Sequence, residues 1–340
     1  MKVLVTGANG LLGANLSRAL VQRGDKVKAF VRPEANMKSL EGVKCEVHRG
    51  SILSAGDISL ALKDCDAVIH AASTTSVVPN DFSFYEKTNV DSTKIIVQAV
   101  LGQGSKRLVH VSTANAFDPG PKENPGTESS PFTLDKFNSG YINSKRMAQE
   151  YVIKQVESRN LDAVVVNPTF IIGPYDAKPS SGKIIFFGLR YGMRWCPPGG
   201  KNFVHVQDVV EGIECALKVG RKGECYLLGA ENLTYQEFFT LLNRIIGRAK
   251  KPYVLPRKIV HAAGAVAEAW NKLTGQKKPF NKANAQLLSL DNYYSSKKAE
   301  VEFNLKRRPI VTAVEDALEW FKTEKFITSD YSTQGTSLDL

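Results

Sequence analysis

The chain is short of residues that build covalent or metal-held frameworks. It has five cysteines in 340 residues, Cys45, Cys65, Cys196, Cys215 and Cys225, and no two form a Cys-x-x-Cys pair. An odd number of scattered thiols argues against a disulfide framework or thiolate zinc site and suits a reducing, cytoplasmic compartment. The five histidines, His48, His70, His110, His205 and His261, include no pair at ligand spacing, so no metal is expected. His70 and His110 fall in strands expected to be buried and read as core residues. His205, just before a helix start at Asp208, reads as structural. No run approaches the ~20 apolar residues of a membrane span. Residues 1–10 lack the apolar stretch and cleavage site of a signal peptide. Neither stable membrane insertion nor secretion is expected. Repeats and low-complexity tracts are also missing.

What is present is ordinary for a globular chain: 43% hydrophobic and 23% charged residues, which excludes global disorder. The formal charge of +11 would suit nucleic acid, a small anionic ligand or a solvated surface. No nucleic-acid motif accompanies it. Much of the excess lies late, in scattered pairs such as Lys277-Lys278 and Arg307-Arg308, so it reads mainly as a wet surface.

The first 170 residues alternate apolar runs with helical patterns. Strands are expected at Lys2–Thr6, Lys26–Val31, Cys45–His48, Ala67–Ala71, Arg107–Ser112 and Ala163–Asn167. Helices are expected at Leu11–Arg23, Asp57–Leu62, Phe84–Leu101 and Tyr141–Arg159. Such alternation implies βαβ units in a doubly wound parallel sheet, an α/β Rossmann architecture. After Pro168 the rhythm changes. Residues 171–201 read as irregular around one short helix, then a strand at Phe203–Val206, a helix at Asp208–Val219 and a strand at Glu224–Leu228. The Thr234-x-x-Glu237 capping box opens a helix over Tyr235–Ile246. Three more helices are expected near 257–273, 281–290 and 311–325. The Ala/Val-rich face of the first (Ala262, Ala263, Val266, Ala269) reads as helix packing, with membrane contact the alternative. The reading divides the chain into a dinucleotide domain (1–168 and 203–231), a smaller, mostly helical substrate domain (169–202 and 232–326) and a flexible tail (327–340).

Gly7, Gly10 and Gly13 stand between the first strand and the first helix at G-x-x-G-x-x-G spacing. Glycines let the backbone turn tightly and approach a pyrophosphate, and the helix N-terminus supplies N–H groups and partial positive charge. Asn9 and Leu11 complete that turn. At the end of the second strand, an acidic residue would bind the ribose 2′-hydroxyl of NAD. Arg32 stands there instead, and a cation suits the 2′-phosphate of NADP. Lys38 is placed to assist. NADP(H) is therefore the expected cofactor, with NAD(H) the alternative. Ser51-Ile52 follows the third strand and is expected near the adenine. Ala71, Ala72 and Ser73 follow the fourth, where small side chains leave room for the cofactor.

Tyr141 and Lys145 lie at i and i+4, on one face of an expected helix. A nearby ammonium favours tyrosinate and would bring the phenol towards neutrality, making Tyr141 a general acid or base. Ser112-Thr113-Ala114 ends the fifth strand, and a hydroxyl there can bond the same substrate oxygen.

With these residues in hand, the chain resembles the extended short-chain dehydrogenase/reductases of the NAD-dependent epimerase/dehydratase superfamily, over roughly residues 1–325. The glycine turn, Ala71-Ala72, Asn89-Val90, Ser112-Thr113-Ala114, Tyr141…Lys145, Asn167-Pro168 and His205-Val206-x-Asp208-Val209 occur in family order. Val31-Arg32-Pro33, Asn167-Pro168-Thr169, Asp176-Ala177-Lys178-Pro179 and the run from Gly229 to Thr234 bring it closest to dihydroflavonol-4-reductase-like proteins and hopanoid-associated sugar epimerases. The resemblance implies Thr113 as catalytic hydroxyl, Tyr141 as acid/base, Lys145 on the nicotinamide ribose, Pro168 and Thr169 beside the nicotinamide, and Asn89 as support. Many relatives carry Asp where this chain has Ser51, which weakens the adenine contact. Thr74, Asn115, Phe170, Phe187 and Trp195 are expected to line a pocket for a small-molecule substrate. A homodimer through the helices near 84–101 and 141–159 is implied. The leading expectation is NADP(H)-dependent reduction of a carbonyl, or oxidation of an alcohol. A nucleotide-sugar epimerase or dehydratase with tightly bound NAD(P) and a non-catalytic NADP-binding sensor are the alternatives.

Overall fold

The computed structural model describes every residue except 76–80, 105, 192–193, 276–279, 329–330 and 332–340. The chain runs through β1 (Lys2–Thr6), α1 (Leu11–Gln22), β2 (Lys26–Val31), β3 (Glu46–Arg49), α2 (Ala55–Leu62) and β4 (Ala67–His70). Next come α3 (Phe82–Tyr85), a π-helical turn (Glu86–Asp91), α4 (Ser92–Gly102), β5 (Arg107–Val111), α5 (Gly140–Arg159) and β6 (Ala163–Pro168). They are followed by β7 (Phe170–Ile172), α6 (Lys183–Tyr191), β8 (Trp195–Cys196), β9 (Gly200–His205), α7 (Val206–Val219), β10 (Cys225–Leu228) and β11 (Glu231–Thr234). The last are α8 (Tyr235–Ile245), β12 (Tyr253–Val254), α9 (Arg257–Thr274), α10 (Lys282–Leu287), β13 (Asp291–Asn292), α11 (Lys297–Phe303) and α12 (Ile310–Thr323).

Seven strands form one parallel sheet in the order β10-β6-β5-β4-β1-β2-β3. Side chains alternate across a strand, so each strand feeds two cores. Val3, Val5, Val109 and Val164 pack on one face with Leu16 and Leu20 of α1 and Ile213 of α7. Leu4, Val68, Leu108 and Val165 pack on the other with Ile58 of α2, Val97 of α4 and Val152 of α5. Both faces are covered, which is why these strands read as continuous apolar runs. The fold is a Rossmann-like, doubly wound α/β sheet. Its strand order turns back between β1 and β4, and open α/β sheets bind ligands over the strand carboxyl ends at such a point.

A second core lies beside the sheet. Phe186, Phe203, Phe238, Val314 and Phe321 meet there, with the rings of Phe203 and Phe238 stacked 4.5 Å apart. Strand β9 joins the two cores: Phe203 faces the second and Val204 the sheet.

The structure differs from the sequence reading in several places. Residues 171–201, read as irregular around one short helix, contain that helix as α6 and also the unanticipated strands β7 and β8, and β7, β9, β11 and β13 form a small sheet of their own. Two- and three-residue strands carry too few residues to show a period. The single long helix expected from Phe84 is interrupted by the π-helical turn. Helix α11 was not anticipated, and its Ala299 and Phe303 pack into the sheet core rather than the substrate side. The cap of α7 is His205, whose Nδ1 accepts from the Gln207 N–H at 2.9 Å; Asp208 lies inside the helix. Ile327, placed at the head of the tail, is buried beside Phe321 in the second core, whereas most of 328–340 lies outside the described residues.

Candidate active site

The glycine turn leaves β1 and enters α1. Gly7 has φ 67°, and a Cβ there would lie 2.8 Å from the Ala72 Cα. Gly13 is tighter: a Cβ would lie 2.2 Å from the Gly7 carbonyl oxygen. Neither position admits a side chain, so the turn sits directly against the end of β4. Gly10 is exposed and serves as N-cap of α1 without a side-chain cap. Ser54, Ser139 and Thr234 close α2, α5 and α8 with side-chain oxygens, whereas α1 begins open. Leu11 is buried. The Asn9 side chain is engaged locally, donating to the Asn36 carbonyl at 3.1 Å, while the Asn9 main-chain carbonyl accepts from Ser39 Oγ at 2.8 Å. These bonds tie the turn to the segment after β2.

Across the crevice, the Ala72 N–H donates to Thr6 Oγ1 at 3.2 Å, and Ser73 Oγ donates to Asn89 Oδ1 at 3.0 Å. At the floor, Ser112 Oγ and Asn167 Oδ1 are buried without a partner among the described residues. A backbone cradle that Cβ atoms would fill, an open helix start, small residues opposite and orphaned polar atoms below together fit a dinucleotide.

Arg32 is exposed at the end of β2, and among the described residues its side chain makes no hydrogen bond or ion pair. Arg49, at the end of neighbouring β3, donates to the Pro33 carbonyl at 2.5 Å. It is a second cation at the same edge. Its place at a strand end beside β2 is the signal of it that the sequence carries. Lys38 does not join them; its ammonium pairs with Glu324 at 2.6 Å, beyond the end of α12. Ser51 is occupied in the turn into α2, its N–H donating to Asp57 Oδ2 at 2.8 Å and its hydroxyl accepting from the Leu53 N–H. Ile52 packs under the adjoining core.

The reactive groups gather at the carboxyl end of β5. Thr113 follows that strand, is 7% exposed, and sets its hydroxyl beside the Tyr141 phenol. Tyr141 opens α5, one residue after Gly140. A Cβ at Gly140 would lie 2.8 Å from the Tyr85 ring, so glycine lets Tyr85 pack edge-on to Tyr141, with centroids 6.4 Å apart. Lys145, one turn on, is buried and donates to the Val111 carbonyl at 2.6 Å. Sequence and structure therefore bring Thr113, Tyr141 and Lys145 to one place.

Two supports hold them. Asn89 sits buried in the π-helical turn, a distortion that often marks functional sites. Its Nδ2 donates to Ser144 Oγ at 2.9 Å, and its Oδ1 accepts from the Thr74 N–H at 2.8 Å. Asn89 thus links the β4 loop to the residue before Lys145. On the other side, Asn167 Nδ2 donates to the Thr113 carbonyl at 2.9 Å and to Gln149 Oε1 at 2.7 Å. Gln149 and Ser144 carry no sequence signal of their own, because their partners are distant in the chain. His70 is a core residue, bonded to Thr6 and Thr93 through its two ring nitrogens.

The electrostatics correct one expectation. Lys145 does not draw the Tyr141 phenol down. Burial raises its pKa, and the Thr113 hydroxyl beside it only partly offsets that. A phenol held protonated is a proton donor. Burial also lowers Lys145, to about 8. The kcat/KM for cofactor should therefore fall as pH rises through about 8, where Lys145 loses its charge. Lys145→Arg, whose guanidinium stays charged, should move that fall to higher pH; an unmoved profile would assign the titration to another group.

The proposed lining residues divide. Thr74 and Asn115 adjoin the reactive groups, Thr74 through Asn89 and Asn115 through its N–H bond to Thr113 Oγ1 at 3.3 Å. Pro168 ends β6, and Thr169 Oγ1 donates to Asn202 at 2.8 Å. Phe170 packs on Phe203 under the Lys201 ammonium. Phe187 is exposed on α6. Trp195 is exposed on β8, its ring against Tyr253 and in no ring contact with the triad.

Comparison with known proteins matches residues 3–229 to the model of the NAD dependent epimerase/dehydratase family. The chain belongs to this family. It is an extended short-chain dehydrogenase/reductase, a nicotinamide-dinucleotide-dependent enzyme. It is 30% identical to sterol demethylase protein B of Methylococcus capsulatus, across 96% of this chain and 100% of that protein. It is 28% identical to a putative dihydroflavonol 4-reductase of Synechocystis, across 95% of each. Among solved structures, gox2253 superposes with a TM-score of 0.84 at 29% identity, covering 95% of this chain and 98% of that one. Among the described residues, no helix is long and apolar enough to cross a membrane.

Proposed function

We propose that this enzyme reversibly reduces a ketone carried on a largely apolar body, with NADPH as reductant. The observation that carries the reading is the Tyr141 phenol beside the Thr113 hydroxyl, with Lys145 one helical turn on and anchored to the Val111 carbonyl, at the carboxyl end of β5. The names of two relatives, a sterol demethylase protein and a dihydroflavonol reductase, support the substrate class. When bound, the nicotinamide supplies the hydride to the carbonyl carbon. Tyr141 gives its phenolic proton to the substrate oxygen as charge develops there. Thr113 positions that oxygen through its own hydroxyl, and Asn167 fixes Thr113 from behind. Lys145 would hold the nicotinamide ribose, with Pro168 and Thr169 beside the ring. Gly7, Gly10 and Gly13 would take the pyrophosphate, and Arg32, flanked by Arg49, the 2′-phosphate.

The coenzyme test is direct. Losing one charge-assisted phosphate contact costs about 1.5–3 kcal/mol. Arg32→Ala should therefore raise the KM for NADPH about 10–100-fold and leave that for NADH nearly unchanged. Wild-type preference for NADH would refute the NADP assignment. The same reading includes a homodimer paired through α4 and α5, and a reducing, cytoplasmic setting that suits the five free thiols.

A further inference from the structure

We propose that the outer face of α9 docks on an anionic lipid surface. This helix of 18 residues buries only Val260 and Gly264. That inner side is taken: a Cβ at Gly264 would lie 2.4 Å from the Ala285 Cβ of α10. A different side of the helix carries a second apolar stripe. Ile259, Val266 and Leu273 recur every seven residues, with Ala263 and Trp270 between them. They share one helical face over four turns. Their exposures are 54% for Ile259, 69% for Val266, 57% for Trp270 and 81% for Leu273. A soluble monomer seldom leaves such a contiguous stripe in water.

Charge selects the occupant. Between Lys250 and Lys282 the sequence holds eight basic residues and one acidic residue, Glu268. Arg257 and Lys258 are exposed at the start of α9, whereas Lys272, exposed near its end, pairs with Glu268 at 2.9 Å. A second copy of the chain would bring two basic surfaces together around the stripe. Anionic headgroups would neutralise them instead, while the acyl boundary takes up the apolar residues. A helix of this length and charge lies in the interface plane rather than crossing it. Trp270 and the exposed Trp195–Tyr253 pair, which stands where the chain enters α9, are the side chains that settle best at headgroup level. Docking does not depend on the reading of the Tyr141 site.

The test is flotation of the full chain with phosphatidylcholine vesicles, with and without phosphatidylglycerol, alongside the Val266→Ser/Leu273→Ser double variant. Both side chains are exposed, so thermal melting and cofactor binding should match wild type and certify the fold. Wild type should float with the anionic vesicles, less so at high salt, and the double variant should bind about tenfold more weakly or worse. Brominated lipid should quench wild-type tryptophan fluorescence. Wild type remaining unbound, or the double variant binding equally well, would overturn the proposal. So would a stripe-dependent dimer that ignores vesicles, since the occupant would then be a second copy.

Discussion

Tyr141→Phe is expected to lower kcat about 10²–10⁴-fold, the usual contribution of a positioned proton donor. Cofactor affinity should stay nearly unchanged. The substitution removes one oxygen and leaves the ring, so the edge contact with Tyr85 and the helix start at Gly140 survive. The Thr113 hydroxyl remains, but it lacks the acidity to replace a phenol. Steady-state kinetics combined with a cofactor titration would separate the two effects. A fall in kcat with intact binding places Tyr141 in the chemical step. A fall in binding alone would make it a structural residue of the crevice.

Gly13→Ala is expected to be more damaging still to cofactor binding. The new Cβ would meet the Gly7 carbonyl oxygen at 2.2 Å. Gly7 cannot retreat, because it is itself pressed against the backbone of Ala72. Overpacking of this kind costs about 1–3 kcal/mol, and the displaced turn would no longer present the open start of α1. Cofactor affinity should fall about 100-fold or more, the loss of several backbone contacts at once, and thermal melting should shift down. Gly102→Ala is the control, since nothing lies within 4 Å of a Cβ there. Equal melting temperatures and equal affinity for Gly13→Ala and the control would remove the cradle from the account.

Much of this was legible in the sequence, for identifiable reasons. The central strands are buried on both faces, so Val3, Leu4 and Val5 announce β1 without any partner being known. The glycine spacing is local, as is the one-turn separation of Tyr141 and Lys145. What the sequence hid was short or distant. Strands β7, β8 and β13 are held by pairing with chain far away, so no local period marks them. The bond from Asn89 to Ser144 spans 55 positions. Lys38 looked available for a phosphate because its partner, Glu324, lies near the other end of the chain. The Tyr141 phenol was misjudged for a different reason. Spacing shows a nearby ammonium, but only the packed structure shows the burial that outweighs it.

The central claim is net hydride transfer to a ketone with Tyr141 as proton donor. It is tested most directly by supplying NADPH deuterated at C4 with a panel of apolar ring ketones and weighing the products. One deuterium on the new carbinol carbon, with one NADP⁺ formed per product and both appearing about 10²–10⁴-fold more slowly with Tyr141→Phe, is the predicted result. An isomerised product, formed without net consumption of added cofactor, would contradict it.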